Sequence, residues 1–128
     1  MKILLDTQAF LWLSSDDKQL SKKAIKVFLD EKNNFSLSLA SIWEMSIKCS
    51  LGKLSINPSL ERFVLDELQD NCIEQLPITF AHITKVQSLP FHHRDPFDRL
   101  LIAQALVENI PILSTDMMFN KYGVKRIW

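Results

Sequence analysis

The sequence predicts an α/β fold in which helices cover both faces of a central, mostly parallel, twisted sheet. Short apolar segments rich in strand-forming residues alternate along the chain with longer segments of helical periodicity. Glycine occurs only twice and proline five times, so regular structure should dominate. A chain of 128 residues has the size of one domain, and we assign residues 1–128 to a single domain.

The first part of the chain supplies two predicted strands and three predicted helices. Lys2–Leu5 is an apolar run of strand-forming residues that ends at a carboxylate. Thr7–Leu13 follows as a short helix, and Ser21–Glu31 spaces its apolar residues by three and four, as an amphipathic helix does. Phe35–Leu39 alternates apolar and polar residues, which is typical of a strand, and Ser41–Ser50 is predicted to be helical.

The second part continues the alternation. Pro58–Asp70 is a further amphipathic helix, Cys72–Leu76 a strand and Thr79–Val86 a helix. Asp95–Glu108 is the clearest helix, because it combines an aspartate cap with proline at the first helical position. The remaining predicted strands are Ile110–Thr115 and Val124–Trp128. We expect the first strand to be buried and the last to lie near a sheet edge.

Composition narrows the class of protein. The formal net charge is zero, which disfavours a pure nucleic-acid-binding module, since such modules are usually basic. No apolar run reaches the ~18 residues that span a bilayer, and the N-terminus does not resemble a secretory signal. We therefore expect a cytoplasmic protein with no membrane contact. Cys49 and Cys72 lack neighbouring metal ligands, so we expect free, buried thiols.

Five carboxylates occupy positions that a packed core does not require. Asp6 and Asp116 directly follow predicted strands, whose carboxyl ends meet at one edge of a parallel sheet. Glu44 lies in the predicted first turn of the helix that begins at that edge. Asp95 and Asp98 lie at the start of the helix before the late strand. We therefore expect these acids to lie close together.

Clustered carboxylates repel one another unless cations compensate their charge. Hard divalent cations such as Mg²⁺ or Mn²⁺ prefer oxygen ligands, and such a site suits phosphodiester hydrolysis by a metal-activated water. Structural alternatives remain open at this stage. Glu44 could complete a capping box with Ser41, Asp95 could be a helix cap, Asp98 could interact with the helix dipole, and Asp116 could be a turn residue.

Four segments around these acids resemble successive motifs of PIN-domain ribonucleases, the toxins of VapBC-type toxin–antitoxin pairs. They are LLDTQAFLW (Leu4–Trp12), ASIWEMSIKCSLGKL (Ala40–Leu54), HRDPFDRLLIAQA (His93–Ala105) and ILSTDMMFNKYGVKRIW (Ile112–Trp128). The match includes apolar and aromatic residues beside the acids. Only Leu13–Leu39 and Ser55–His92 lack recognisable motifs. The family's fold, a PIN-type α/β/α sandwich, agrees with the element order above.

The resemblance implies a set of metal ligands for Mg²⁺ or Mn²⁺. In chain order they are Asp6, Glu44, Asp98 and Asp116. Asp95 is interpreted first as a cap and second as an acid that contributes indirectly, and Thr115 as a residue that orients a metal-bound water or a phosphate. Gln8 stands where relatives often have histidine, which puts any role of that side chain in doubt.

Basic residues near the acids are candidates for contacts with RNA phosphates. They are Lys48, Lys53, Arg94 and Arg99. The alternatives are a solvated helix face for the lysines and salt bridges for the arginines. RNA contact is also an alternative for His92 and His93, but we interpret them as ordinary loop residues, since a pair of histidines in a loop usually has no special role.

The sequence thus predicts a Mg²⁺- or Mn²⁺-dependent endoribonuclease that acts as a toxin on RNA. The resemblance implies a cognate antitoxin as partner, and a homodimer or toxin–antitoxin hetero-oligomer. The alternatives are a catalytically inactive PIN-like interaction module and, less favoured, a receiver-like phosphoacceptor domain. A receiver domain would need an acidic pair after strand one and a lysine after the last core strand, and this chain has neither. A haloacid-type phosphatase would need a second aspartate two residues after Asp6, where this chain has Gln8.

Overall fold

The computed structural model describes residues 1–128 and contains every strand and helix that the sequence predicts. The strands are β1 (Lys2–Leu5), β2 (Asn34–Ser38), β3 (Glu74–Leu76), β4 (Ile112–Leu113) and β5 (Arg126–Ile127). The helices are α1 (Thr7–Ser15), α2 (Lys22–Leu29), α3 (Leu39–Ser50), α4 (Leu60–Asp70), α5 (Phe80–Gln87) and α6 (Pro96–Glu108). A short 3₁₀-helix, Met117–Tyr122, was not predicted.

The five strands form one sheet in the order β3-β2-β1-β4-β5, and every pair is parallel. The predicted parallel sheet is confirmed, with β1 buried at its centre and β5 at one edge. The late strand β4 has two residues rather than the predicted six, because Pro111 has no N–H to pair and the chain bends at Thr115, after a last bond from the Ser114 N–H to the Ile127 carbonyl. This turn carries Ser114 to Asp116 to the carboxyl edge.

Two apolar clusters lie on opposite faces of the sheet. Ile3 and Leu5 of β1 belong to the cluster that also contains Phe10 of α1, whereas Leu4 belongs to the cluster that contains Ile102 of α6. Successive residues of a strand point to opposite faces, so both faces of β1 are covered by helices. The result is the expected three-layer α/β/α arrangement.

Three smaller observations bear on the sequence predictions. None of the helices combines the length and the apolar character needed to cross a bilayer. Both cysteines are free. Cys49 is half-buried, but the expectation of a buried thiol is wrong for Cys72, which is exposed in the turn after α4 with a φ of 52°.

Candidate metal centre

Asp6 is the most buried of the candidate ligands, with 8% of its surface exposed. It ends β1 and caps α1, because its Oδ1 accepts a hydrogen bond from the Ala9 N–H at 2.6 Å. Burial raises the pKa of Asp6 to about 6. Hydrogen bonds from the Ser114 hydroxyl and the Ala9 N–H act in the opposite direction, while the charges of Asp116 and Glu44 raise the pKa further.

Asp98 stands in the first turn of α6, at the same edge of the sheet. Asp95 is the cap of this helix, as predicted, and accepts from the Phe97 N–H at 2.7 Å. The pKa of Asp98 is also raised to about 6, first by burial and then by the charge of Asp95; His93 lowers it, and Glu44 and Asp116 raise it. The helix dipole alone therefore does not account for Asp98, since the environment disfavours its charge.

Glu44 lies in the second turn of α3, not in the first as predicted. The helix begins earlier because Ser38 caps it, with its hydroxyl accepting from the Ala40 N–H at 3.0 Å. The capping-box alternative is therefore wrong: the buried Ser41 hydroxyl has no hydrogen-bond partner. Glu44 is half-buried, and its carboxylate lies 3.1 Å from Nζ of Lys48 one turn later. Glu44 also lines the cavity that Asp6 and Asp98 line.

Asp6, Glu44 and Asp98 line one cavity of about 90 Å³, together with Gln8 and Lys48. The three acids that line the cavity thus come from the end of β1, from α3 and from α6, which are far apart in the chain. Its lining is almost entirely polar, with only Leu11 as an apolar residue. It is large enough for a cation with one or two waters, since one water occupies about 30 Å³.

Asp116 approaches the same acids from the turn after β4. One ligand atom from each of Asp98, Asp116 and His93 can be chosen so that all three lie within 4.8 Å of one another. The Asp116 carboxylate accepts from the Met118 N–H at 2.9 Å and from Nε2 of His93 at 2.7 Å. The structure therefore brings the four predicted acids together at one edge of the sheet; their role as ligands stays a prediction.

Ser114, rather than Thr115, is the hydroxyl that contacts the acids. Ser114 is fully buried; its Oγ accepts from the Asp116 N–H at 3.0 Å, and its hydroxyl bonds to Asp6. Thr115 is exposed, and no hydrogen bond of its side chain is present. The sequence signal for Ser114 was a polar residue directly after the apolar pair Ile112 and Leu113, but the predicted strand ran on to Thr115 and therefore included Ser114.

His93 is the second residue that sequence reasoning missed. Its side chain is only 9% exposed and bonds Asp116 directly. The sequence signal was the position of His93, two residues before the DPFD segment. The interpretation of His93 as an ordinary loop residue did not use this signal.

The four predicted RNA-contacting cations differ in their surroundings. The prediction for Arg99 is wrong, because it is buried and its guanidinium donates to the carbonyls of Pro90, Val86 and Leu89 at 2.9, 3.1 and 3.3 Å. It makes no salt bridge, so that alternative is also wrong for Arg99. Lys48 pairs with Glu44, whereas Lys53 and Arg94 are exposed.

A larger groove of about 530 Å³ opens beside the acidic cavity. Gln8, Leu11 and Lys48 line both, so the two are continuous. Trp12 and Phe63 give the groove apolar walls, and its rim carries polar and charged side chains. A ligand with an extended, partly apolar shape could lie along it and reach the acids.

The donor set fits a hard divalent cation. All four acids offer the carboxylate oxygens that such a cation prefers. Burial disfavours the charged form of Asp6 and Asp98 and raises their pKa values, and a bound cation would compensate this negative charge. The Lys48 side chain, paired with Glu44, is the lysine or arginine that lies beside the acids in this cavity.

Comparisons with known proteins agree with this geometry. The PIN domain family model matches residues 3–125. No curated protein matches the chain significantly in sequence. Among solved structures, VapBC2 from Rickettsia felis bound to a DNA fragment from its promoter aligns over 100% of both chains with a TM-score of 0.73 and 12% identity. VapBC-1 from nontypeable Haemophilus influenzae aligns over 98% of this chain and 96% of that one, with a TM-score of 0.66 and 17% identity.

FitAcB from Neisseria gonorrhoeae is similar over 97% of this chain and 95% of that one, with a TM-score of 0.61 and 16% identity. At these identities the structural likeness describes the fold. The family model, in contrast, covers nearly the whole chain, including all four acids. The chain therefore belongs to the PIN-domain family.

Proposed function

We propose that this protein is a Mg²⁺- or Mn²⁺-dependent endoribonuclease and the toxin of a toxin–antitoxin pair. The observation that carries the proposal is the convergence of four carboxylates, from four separate segments, on the carboxyl edge of the sheet. Two of them have raised pKa values, so the cluster destabilises the cation-free protein. A catalytically inactive interaction module would have no reason to keep such an arrangement.

Asp6, Glu44, Asp98 and Asp116 are the residues that would hold the metal. A divalent cation bound there would acidify a water and offset charge on the phosphodiester. The chain's own residues prepare the site. The Ser114 hydroxyl lowers the pKa of Asp6 and accepts a hydrogen bond from the Asp116 N–H. Further ligand roles for Asp95 and Thr115 are not needed, because one is a cap and the other is exposed.

RNA is the proposed substrate, in the cytoplasm, where a toxin of this kind would meet it. Lys48, Lys53 and Arg94 are the remaining candidates for phosphate contacts. Lys48 lies at the junction of the acidic cavity and the groove, and Lys53 lines the groove. A phosphate bound beside the acids could draw Lys48 away from Glu44, which would free that carboxylate for the metal.

An antitoxin is the proposed protein partner. The solved structures similar to this chain include VapBC-1 from Haemophilus influenzae and a toxin–antitoxin complex from Klebsiella pneumoniae. The groove with Trp12 and Phe63 is suited to an extended segment with apolar side chains, and a segment lying there would cover the way into the acidic cavity. A segment in that position would inhibit the nuclease, because it would block access of RNA to the acids.

Self-association is also proposed. Trp43 and Ile47 of α3 and Leu51, the C-cap of this helix, are exposed at intervals of four residues and so form one apolar stripe on its outer side. A homodimer through this stripe would cover it. Sedimentation of the wild type beside Trp43→Glu tests this, since the variant should sediment as a monomer.

The experiment that tests the nuclease proposal is calorimetric titration of Mn²⁺ into antitoxin-free protein. The variants are Asp6→Asn and Asp98→Asn, with Asp70→Asn as a matched control on an exposed carboxylate of α4. Saturable binding by the wild type and the control, lost in both site variants, together with Mn²⁺-dependent RNA cleavage, would support the proposal. Absence of both binding and cleavage in the wild type would favour the inactive interaction module.

A further inference from the structure

A chain of hydrogen bonds joins the loop before α6 to the 3₁₀-helix and ends on one candidate metal ligand. The backbone N–H of His92 donates to the Tyr122 hydroxyl oxygen at 3.1 Å. That oxygen lies 2.9 Å from Nδ1 of His93. Nε2 of His93 lies 2.7 Å from Oδ2 of Asp116. The three contacts connect residues that are 23 to 30 positions apart in sequence.

The direction of each hydrogen bond follows from the chemistry of the groups. An ionised carboxylate can only accept, so Nε2 of His93 carries the proton in its bond to Asp116. In the neutral ring, Nδ1 is then an acceptor and receives the Tyr122 O–H. The Tyr122 oxygen accepts the His92 N–H at the same time. Every donor and acceptor in the chain is satisfied, and the ring tautomer is defined by its partners.

Packing holds the His93 ring in this orientation. The ring stacks on Tyr122, with centroids 5.5 Å apart and an interplanar angle of 29°. Its other neighbour is Phe119, at 5.1 Å. The side chain is 9% exposed, so rotation would displace buried aromatic groups. The donor that faces Asp116 is therefore fixed in place.

Asp116 depends on this donor for its own orientation. Its Oδ1 accepts from the Met118 N–H at 2.9 Å, and His93 occupies Oδ2, so both oxygens are held while each keeps a free lone pair. The charges of Asp98 and Asp6 lie nearby and repel it. Ligand oxygens lie about 2.1 Å from a Mg²⁺ ion, so the two carboxylates must stay close together to share one cation.

From this geometry we propose that His93 is a positioning residue, oriented by Tyr122, that holds the Asp116 carboxylate toward Asp98 for metal binding. The inference rests on the proposed function, because it requires a metal at the acids. Loss of a hydrogen-bond partner behind a metal ligand typically weakens metal affinity about 10- to 100-fold. We expect a loss of that size when the His93 donor is removed.

The test is Mn²⁺ titration and RNA cleavage with four variants, each checked for folding by thermal unfolding. His93→Phe keeps an aromatic ring but removes the donor, and should weaken Mn²⁺ binding about 10- to 100-fold. His93→Gln keeps a donor near the Nε2 position and should restore most of that loss. Tyr122→Phe removes both hydrogen bonds of the hydroxyl, including the one that orients the His93 ring, and should weaken Mn²⁺ binding about 2- to 10-fold.

His92→Ala is the matched control. The His92 side chain is exposed and makes no hydrogen bond; its ring contacts Tyr122 edge-on, with centroids 5.0 Å apart, and the backbone N–H that bonds the Tyr122 hydroxyl survives the substitution. Its Mn²⁺ affinity should therefore equal that of the wild type. A packing role for His93 would give the opposite ranking, with His93→Phe close to the wild type and His93→Gln impaired.

Pulsed electron paramagnetic resonance of bound Mn²⁺ separates positioning from direct ligation. Positioning predicts no ¹⁴N coupling from an imidazole ligand, and a coupling that disappears in His93→Gln would overturn the inference. Equal Mn²⁺ affinity of the wild type and His93→Phe would overturn it as well. Wild-type protein that binds Mn²⁺ but leaves RNA intact would instead refute the nuclease, while the affinities of the variants still decide the role of His93. Wild-type protein that binds no Mn²⁺ would refute both.

Discussion

Replacing Asp6 with asparagine should stabilise the metal-free protein. Burial raises the pKa of Asp6 from 3.8 to about 6, so the folded state resists ionisation of this carboxyl more than the unfolded state does. A tenfold change in a dissociation constant corresponds to about 1.4 kcal/mol, and ionised Asp6 therefore lowers the free energy of unfolding by up to ~3 kcal/mol near neutral pH.

The sign of the pH dependence follows from the raised value. The stability associated with Asp6 is fully present below the unfolded-state pKa near 3.8 and is lost as the pH rises through about 6. Asparagine does not ionise, and it still accepts from the Ala9 N–H, because asparagine and aspartate are equally good helix caps. The gain from Asp6→Asn should thus be largest above pH 6 and smaller at pH 4.5.

The assay is thermal unfolding in EDTA at pH 7.5 and pH 4.5. A domain of this size gains roughly 4 °C in Tm for each kcal/mol, so Asp6→Asn should raise Tm by about 5–10 °C at pH 7.5. Added Mn²⁺ should then stabilise the wild type but not the variant. A variant no more stable than the wild type at pH 7.5, or equally stabilised at both pH values, would refute the reasoning.

Three further predictions concern stability and the role of single residues. Arg99→Met should lower the free energy of unfolding in urea by about 3 kcal/mol, because the buried guanidinium is lost as the charged donor to three carbonyls. A loss below about 1 kcal/mol would return Arg99 to the RNA candidates. Gly123→Ala should cost about 1 kcal/mol although no atom lies within 4 Å of the added Cβ, because φ is 82°; an unchanged Tm would contradict this. Asp95→Ala should cost about 1 kcal/mol as a lost cap while the Mn²⁺ dissociation constant stays constant, and loss of Mn²⁺ binding would make Asp95 a ligand.

The parts of the site that local rules determine could be predicted from the sequence. Asp6 and Asp116 follow strands, and in a parallel sheet the strand ends share one edge. Asp98 lies just after Pro96, which marks the start of α6, so its position in the first turn of that helix could be predicted. The topology alone therefore brought these acids together, and the error in the start of α3 moved Glu44 by a turn without removing it from the cluster.

The parts that were missed depend on contacts between distant segments. The role of Arg99 is set by the carbonyls of the segment from Val86 to Pro90, which folds back over the start of α6. The role of His93 is set by Tyr122, 29 residues later. Neither partner is marked by spacing or periodicity, because only the folded loop brings the groups together. Ser114 was missed for a different reason, an error of two residues in the end of β4.

The parallel pairing of β1 with β4 has a consequence for the timing of synthesis. Of the four acids, the first is residue 6 and the last is residue 116, and they follow strands that become neighbours only when the chain between them is complete. A nascent chain that has emerged as far as α6 carries Asp6, Glu44 and Asp98, but it lacks Asp116 and the tyrosine that orients His93. Almost the whole domain must therefore be synthesised before the four acids can come together.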